Sequence, residues 1–408
     1  MHMTLHDLLA PITPETFFAE YYDRKPLHVP GGAAKFAQVL SWRQINRLLD
    51  MTHVWSETSF KMVLDSALVP AAQYSNRATS RDGQPVLQPD AAKVREWIAR
   101  GASLVLNDVD SLTPGLASVS EALEGAGLGK SQANVYISWQ AHKAFASHYD
   151  THDVWAVQVE GEKTWYVWEG RAEWPISHPA FRGQPQAHHD AAKGKLLATI
   201  VLKPGDLLYL PRGWYHDAMT LSEASVHVAY GVHAPLGMDF LNILVERVLY
   251  DAEFRKPLPR QDGTAAAKFA LTSRAALLGQ RLGELCRDPK VMGVLESFVA
   301  GYRFQRGGHD LLAARGVAPP AGAAAAEDAE APSYSVIDRG AKPVRRGADF
   351  ILKGSAGPVP ISAAEAEAAG WLLGRVDVTE RELAAAHPAV AAPALLRKLT
   401  DAGLLVVR

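Results

Sequence analysis

The sequence has little cysteine and no long hydrophobic run. Cys286 is the single cysteine among 408 residues, so the chain has no intramolecular disulfide and no zinc site built on several cysteines. No uninterrupted apolar run reaches the ~18 residues that a membrane helix needs. The N-terminus lacks the basic run and apolar core of a signal peptide. We therefore expect a cytoplasmic protein that has no membrane partner.

The sequence also lacks an excess of positive charge. Lysine and arginine total 42 against 44 acidic residues, a net charge of -2, so the chain as a whole has no field that favours nucleic acid. It contains no phosphate-binding glycine loop and no repeat of about 20–50 residues. Its hydrophobic content of 48% is that of an ordinary globular protein. At this length we expect two or three cooperating units.

Between about residues 134 and 235 the pattern changes to short runs of alternating apolar and polar residues. Runs of this kind, bounded by turn residues, are typical of an antiparallel barrel or sandwich. Residues 154–159 and 163–168 flank the turn Glu160-Gly161-Glu162, and this arrangement predicts a hairpin. Helical periodicity precedes this segment and returns after Leu236.

Two motifs within the strand-rich segment carry chemically informative residues. His148 and Asp150 are two positions apart, so on a strand they project from the same face and can bind one ion together. A turn, a strand and a Pro-x-Gly turn in residues 203–216 then place His216 at the rim of the sheet. Two histidines and one carboxylate leave three positions open on an octahedral metal, which is typical of non-haem Fe(II) oxygenases. We therefore predict that His148, Asp150 and His216 are metal ligands.

Three polar residues are candidates to bind a co-substrate beside such a metal. Lys163 shares a strand face with Trp165, so its ammonium is expected to point inward, where it would need an anion such as a carboxylate. Asn134 and Tyr136 share a face on a preceding strand and could donate to the same ligand. Taken alone, all three could also be ordinary strand residues, and Lys163 could simply flank a turn on a solvated face.

These motifs resemble a known family. The stretch from Ala133 to Trp165, together with the Pro-Gly-Asp motif that leads to His216, looks like the JmjC-type, cupin-fold 2-oxoglutarate oxygenases of the ribosomal oxygenase group. The resemblance extends from about residue 12 to residue 240 and continues more weakly to the C-terminus. It implies an α+β protein: a double-stranded β-helix (cupin or jelly-roll) barrel with helical flanks and a C-terminal winged-helix-like domain.

The resemblance also implies cofactors and residue roles. In such enzymes the His-x-Asp pair and the distal histidine bind Fe(II), which carries over to His148, Asp150 and His216. A basic residue 15 positions after the first histidine, here Lys163, holds the distal carboxylate of 2-oxoglutarate. The family's further co-substrate contacts match Asn134 and Tyr136. These six residues are the predicted site: metal ligands and catalytic residues His148, Asp150 and His216, and cofactor-binding residues Lys163, Asn134 and Tyr136.

Two positions depart from the pattern of related enzymes. Phe145 stands where related asparaginyl hydroxylases have a threonine that binds the co-substrate. The strand after His216 offers His227 and Tyr230 instead of a serine or asparagine, and we leave that position unassigned.

The activity implied by the resemblance is that of a 2-oxoglutarate-dependent dioxygenase that hydroxylates a protein side chain, Arg or His of a ribosomal protein. The group's C-terminal regions imply a homodimer, and we expect no specific DNA binding. Three alternatives stay open: an oxygenase acting on a small molecule or peptide, a cupin enzyme that does not use 2-oxoglutarate, and a non-catalytic cupin module. The expected domains are a JmjC/cupin catalytic domain with an N-terminal helical segment (1–236), a helical dimerisation region (237–318), a linker (319–332) and a winged-helix-like domain (333–408).

Overall fold

A computed structural model of the chain describes residues 3–80, 83–139, 145–220, 224–306, 333–336, 341–347, 349–354, 357–373, 375 and 377–407. These residues form two compact units. The first comprises Met1–Ser41 and Thr52–Arg306, and the second comprises Trp42–Met51 and Gly307–Arg408. The expected linker, 319–332, lies outside the described residues, so the predicted domain limits stay a prediction.

Helices precede and follow the strand-rich segment in sequence, and one, Gln186–Ala192, lies within it. They are α1 (Leu5–Leu9), α2 (Pro14–Glu20), α3 (Trp42–Asp50), α4 (Ala91–Ala99), α5 (Pro114–Gly125), α6 (Gln186–Ala192), α7 (Gly237–Val248), α8 (Ala252–Arg255), α9 (Ala265–Leu285), α10 (Pro289–Ala300), α11 (Ala363–Leu373), α12 (Glu380–Ala386) and α13 (Ala392–Asp401). Local signals set several of these ends. For example, Thr13 caps α2 by accepting a hydrogen bond from the Thr16 backbone, and Pro14 occupies the first turn.

The strands are β1 (Leu27–Val29), β2 (Phe60–Leu64), β3 (Ala67–Leu68), β4 (Ser75–Thr79), β5 (Pro85–Pro89), β6 (Ser103–Leu106), β7 (Lys130–Trp139), β8 (Asp153–Gly161), β9 (Lys163–Arg171), β10 (Leu196–Leu202), β11 (Leu207–Leu210), β12 (Trp214–Met219), β13 (Ala224–His233), β14 (Ser333–Val336), β15 (Val344–Arg346), β16 (Asp349–Gly354), β17 (Gly357–Ile361), β18 (Asp377–Thr379) and β19 (Leu405–Val407).

Two antiparallel sheets of the first unit form the expected jelly-roll barrel. The larger sheet has eight strands in the order β1-β11-β8-β13-β7-β6-β2-β3, and the smaller has three in the order β10-β9-β12. A core cluster that includes Val154 and Leu208 from the larger sheet and Trp165 and Leu202 from the smaller packs between them. Burial of this shared apolar layer holds the two sheets together.

The predicted hairpin of residues 154–159 and 163–168 is wrong. β8 pairs with β11 and β13, whereas β9 pairs with β10 and β12, so the turn between them carries the chain from one sheet to the other. Gly161 has φ +59° at this corner, and a Cβ there would lie 1.9 Å from the Ala224 carbonyl oxygen. A short glycine turn is thus compatible with a hairpin and with a sheet corner, and packing decides between them.

The second unit has its own hydrophobic core, built mainly from its last three helices, α11, α12 and α13. Leu372, Leu383 and Leu395 are completely buried there, together with Leu352 of β16. β14 pairs with β18 and β19, and β16 pairs with β15 and β17. Three helices with small sheets agree with the winged-helix-like domain that the resemblance implies.

None of the helices in the described part of the chain is both long enough and apolar enough to cross a membrane.

Candidate metal centre and co-substrate cavity

The structure brings His148, Asp150 and His216 together at one end of the barrel. Each offers one ligand atom, and these atoms lie within 4.8 Å of one another. His216 Nε2 is 3.5 Å from Asp150 Oδ2, and the two imidazole centroids are 4.6 Å apart. His216 belongs to β12, but His148 and Asp150 precede β8 and do not lie on a regular strand as the sequence reasoning assumed.

Backbone hydrogen bonds hold these two segments side by side. The His148 N–H donates to the His216 carbonyl at 3.0 Å, and the His216 N–H donates to the His148 carbonyl at 2.9 Å. The Gly213 N–H donates to the Asp150 carbonyl at 2.9 Å. The residues of the Pro-x-Gly turn and of the His-x-Asp motif are therefore fixed to each other through their main chains.

Hydrogen bonds to the backbone also orient both imidazoles. Nδ1 of His148 lies 2.8 Å from the Ala146 carbonyl oxygen, and Nδ1 of His216 lies 3.0 Å from that of Trp214. A carbonyl oxygen only accepts, so Nδ1 carries the proton and Nε2 is left with a free lone pair. Histidines that bind metals are commonly oriented in this way.

Burial and neighbouring charges set the protonation of the cluster. Burial, reinforced by His148, lowers the pKa of His216 to about 4. Burial raises the pKa of Asp150, but the surrounding histidines, His152 first among them, outweigh it and leave that pKa below its ordinary value. Near neutral pH the cluster thus offers an unprotonated imidazole beside an ionised carboxylate, which are the forms that bind metals.

A cavity of about 170 Å³ adjoins the three side chains. All six residues of the predicted site line it, namely Asn134, Tyr136, His148, Asp150, Lys163 and His216. Phe145, which replaces the threonine of related enzymes, lines the same cavity and packs edge-on against Tyr136 at 6.0 Å between ring centroids.

Lys163 points into the barrel and is only 3% exposed. Its Nζ donates to Ser138 Oγ at 2.9 Å and to Thr220 Oγ1 at 3.0 Å. Among the described residues it forms no ion pair with a carboxylate. Burial lowers the pKa of Lys163 to about 8. The ammonium therefore has hydroxyl partners and a cavity in front of it, but no described counter-ion.

Asn134 and Tyr136 lie on β7 in the same cavity wall. Asn134 Oδ1 accepts a hydrogen bond from the Asp108 N–H at 3.1 Å. Burial raises the pKa of Tyr136, which keeps its hydroxyl protonated and able to donate. The Tyr136 ring stacks on His227, with ring centroids 4.9 Å apart and planes 4° apart.

Sequence reasoning missed three residues of this cavity region. Ser138 continues the face of β7 that carries Asn134 and Tyr136, so strand alternation could have identified it. Thr220 follows β12, and no local signal connects it with Lys163. His227, left unassigned above, is buried in the cavity wall, and burial followed by the charge of Lys163 lowers its pKa well below the ordinary value.

Fold and site together define a jelly-roll protein with a cluster of two histidines and one carboxylate at the mouth of its barrel. Residues 115–240 match the family model described as JmjC domain. The chain carries a JmjC domain, and the resemblance inferred from the two motifs is confirmed.

Similar proteins are found among curated sequences and solved structures. The chain is 29% identical over 267 residues to the bifunctional lysine-specific demethylase and histidyl-hydroxylase NO66 of Drosophila persimilis, and the match covers 63% of this chain and 36% of that protein. It is 28% identical over 264 residues to ribosomal oxygenase 1 of Gallus gallus, with 62% and 41% covered. The chain thus spans well under half the length of these relatives.

A solved structure of YcfD, a ribosomal oxygenase from Escherichia coli in complex with cobalt and 2-oxoglutarate, aligns with 97% of this chain and 98% of its own. The TM-score is 0.47 and the identity 16%. A likeness at this level identifies neither a substrate nor an assembly.

Proposed function

We propose that this protein is an Fe(II)- and 2-oxoglutarate-dependent dioxygenase that hydroxylates a protein side chain, Arg or His of a ribosomal protein. One observation carries the proposal: a metal-binding trio, His148, Asp150 and His216, opens onto the same cavity as a buried ammonium, Lys163, that has no described counter-ion. The first feature suits a metal with open positions, and the second suits a co-substrate that brings a carboxylate.

The donor set fits a ferrous ion. Two imidazole nitrogens and one carboxylate oxygen are ligands that suit iron, and both histidines already have Nδ1 engaged with a backbone carbonyl. Ligand atoms at right angles around one ion lie about 3 Å apart, close to the 3.5 Å between His216 Nε2 and Asp150 Oδ2. When bound, the iron would supply the activation of dioxygen and the oxidative decarboxylation of 2-oxoglutarate.

The remaining residues would hold the co-substrate. Lys163 would bind the distal carboxylate by a charge-assisted hydrogen bond, and Ser138 and Thr220 already hold the ammonium in place. The Tyr136 hydroxyl and the Asn134 amide would add hydrogen bonds along the cavity wall. A carboxylate in this pocket would remove the main cost of keeping Lys163 charged, because it replaces the water that burial has taken away.

Turnover of 2-oxoglutarate tests the proposed cofactors directly. Wild-type protein supplied with Fe(II) and 2-oxoglutarate in air is expected to release succinate, and His216→Ala is expected to release none above background. His188→Ala is the matched control, because His188 is an exposed histidine of α6 outside the cavity. Equal succinate release by wild type and His216→Ala would refute the ligand assignment.

The names of the relatives support the proposed class of substrate. The Drosophila relative is called a histidyl-hydroxylase, and the chicken relative is called a ribosomal oxygenase. Mass spectrometry of ribosomal proteins from cells with and without the gene should reveal one protein whose mass falls by one oxygen atom when the gene is deleted. If every ribosomal protein keeps its mass, the ribosomal substrate is wrong, whatever the succinate assay gives.

We also propose a homodimer in the cytoplasm, assembled through the helices after residue 236. The four residues Met238, Leu241, Val245 and Leu249 recur at three- and four-residue steps along α7 and its C-cap, and each is more than half exposed. The 21-residue helix α9 has no buried residue. Apolar helix faces of this kind favour association. Light scattering after gel filtration should give twice the chain mass, and cell fractionation tests the compartment; a monomer would refute the assembly.

A further inference from the structure

Ser147 and Asp217 form a buried pair directly behind the two histidines. Because His148 lies opposite His216 in an antiparallel bridge, Ser147 lies opposite Asp217. Successive side chains of a strand point to opposite faces, so Asp217 projects away from the cavity into which His216 points. Ser147 is 4% exposed and Asp217 1% exposed, and the Ser147 hydroxyl donates to Asp217 Oδ2.

Further hydrogen bonds fix this pair to the outer side of the smaller sheet. Trp168 Nε1 of β9 donates to Asp217 Oδ2 at 2.9 Å. Lys193 Nζ donates to Ser147 Oγ at 3.3 Å, and Gln186 Nε2 donates to the Ser147 carbonyl at 3.0 Å. The Asp217 carboxylate therefore accepts hydrogen bonds from Trp168 of β9 and from Ser147, which precedes His148.

The segment that carries His148 has little main-chain pairing with β12. Residues 145–152 belong to no strand, and one bridge, His148 with His216, pairs them with β12. The Gly213–Asp150 hydrogen bond lies on the far side of that bridge from Ser147. On the near side, the contact between Ser147 and Asp217 joins the His148 segment directly to β12, beside the bonds that Gln186 and Lys193 donate to Ser147.

We propose that Asp217 is a positioning residue of the metal centre, which acts through Ser147 to fix the separation of the His148 and His216 imidazoles before metal binds. The inference rests on the proposed function, since it presupposes that these histidines bind a metal. Loss of the link would leave every ligand in place but allow the His148 segment to move. Outer partners of ligating histidines typically affect metal affinity by about 10–100-fold.

Binding of Mn(II) measured by electron paramagnetic resonance tests the inference without turnover. Ser147→Ala and Asp217→Ala are each expected to weaken Mn(II) binding about 10- to 100-fold. The double variant should bind Mn(II) no more weakly than Asp217→Ala, because both changes remove the same hydrogen bond. Asp401→Ala is the control: the carboxylate is exposed and lies in the other compact unit, its change is chemically the same, and wild-type affinity is expected.

A second readout separates positioning from general loss of structure. The Fe(II) concentration for half-maximal succinate release should rise in Ser147→Ala, whereas kcat at saturating Fe(II) should stay near that of the wild type. A variant that merely unfolds would lose kcat in proportion to the folded fraction. If Asp217→Ala fails to fold, Ser147→Ala decides, since it removes one hydroxyl and keeps the Trp168–Asp217 hydrogen bond.

The outcomes distinguish this inference from the proposed function. Wild-type Mn(II) affinity in Ser147→Ala and Asp217→Ala, with His216→Ala unable to bind, would overturn the positioning role and leave the proposed function standing. Equal binding by wild type and His216→Ala would overturn both, because there would be no metal centre to position.

Discussion

Replacing Lys163 by methionine should stabilise the protein in the absence of co-substrate and weaken its binding of 2-oxoglutarate. The two side chains are similar in length, but methionine carries no charge. The ammonium is 3% exposed, and burial lowers its pKa from the ordinary 10.5 to about 8. One pKa unit corresponds to about 1.4 kcal/mol, so keeping Lys163 charged costs the folded state about 3 kcal/mol at neutral pH.

Lys163→Met removes this cost, but lost hydrogen bonds offset part of the stability that it gains. Ser138 and Thr220 each lose a donor, at about 1 kcal/mol each. We therefore expect the free energy of unfolding of Lys163→Met to exceed that of the wild type by about 1 kcal/mol at pH 7. Urea denaturation without metal or 2-oxoglutarate measures this difference.

The difference should depend on pH in a defined direction. Below about pH 8 Lys163 is charged in both the folded and the unfolded protein, and the wild type bears the full free-energy cost of burying that charge. Between about pH 8 and 10.5 the unfolded chain binds more protons at this site, so wild-type stability rises with pH relative to that of Lys163→Met. At pH 7 the free energy of unfolding should be higher for Lys163→Met. At pH 10 it should be higher for the wild type, because the neutral amine keeps its two hydrogen bonds. Urea denaturation at both pH values measures this reversal.

Binding of 2-oxoglutarate should change in the opposite sense. Loss of a charge-assisted hydrogen bond costs about 1.5–3 kcal/mol, so the dissociation constant of 2-oxoglutarate should rise roughly 10- to 100-fold. Calorimetric titration of the Mn(II)-loaded protein measures it. Lys203→Met is the control, because Lys203 is exposed and pairs only loosely with Glu162 at 3.8 Å. Unchanged affinity in Lys163→Met, or a stability gap that does not vary with pH, would refute the reasoning.

Two further predictions concern stability. Arg306→Met should lower the free energy of unfolding by about 3–5 kcal/mol in urea, because the buried Glu124 and the partly buried Asp110 would lose their cation; a change below 1 kcal/mol would contradict this. Gly161→Ala should lower the free energy of unfolding by at least about 2 kcal/mol, because its Cβ would lie 1.9 Å from a carbonyl oxygen and its φ is positive. Gly279→Ala should raise the free energy of unfolding by about 0.5–1 kcal/mol, because Gly279 lies in α9 with open space around it. Thermal unfolding of both glycine variants checks the opposite signs.

Local patterns predicted the elements well and their pairing poorly. Helical periodicity was expected to return after Leu236, and α7, α9 and α10 follow there, because helix signals such as the Thr264 and Asp288 caps are encoded within a few residues. The β8–β9 turn was assigned to a hairpin because a glycine turn between two apolar runs looks the same when the runs enter different sheets. The small strands of the second unit were missed because they are short and poorly patterned.

The same distinction applies to the site. His148 and Asp150 lie within one motif, and Lys163 could be placed inward by its parity with Trp165, so each was accessible from adjacent residues. Thr220 reaches Lys163 from 57 positions away, and only the pairing of β12 with β9 brings them together. The roles assigned to these residues stay predictions until metal and co-substrate binding are measured.

The register in which the His148 segment pairs with β12 determines both the ligand cluster in the cavity and the buried Ser147–Asp217 pair behind it. In an antiparallel pairing one matched pair fixes all the others, so the bridge between His148 and His216 also determines that Ser147 meets Asp217. A slip by one residue would turn one histidine away from the cavity and would also bring one member of the buried pair onto the cavity face. No slipped arrangement can keep either the ligand cluster or the Ser147–Asp217 hydrogen bond. The outer pair therefore stabilises the one register in which both histidines face the same point.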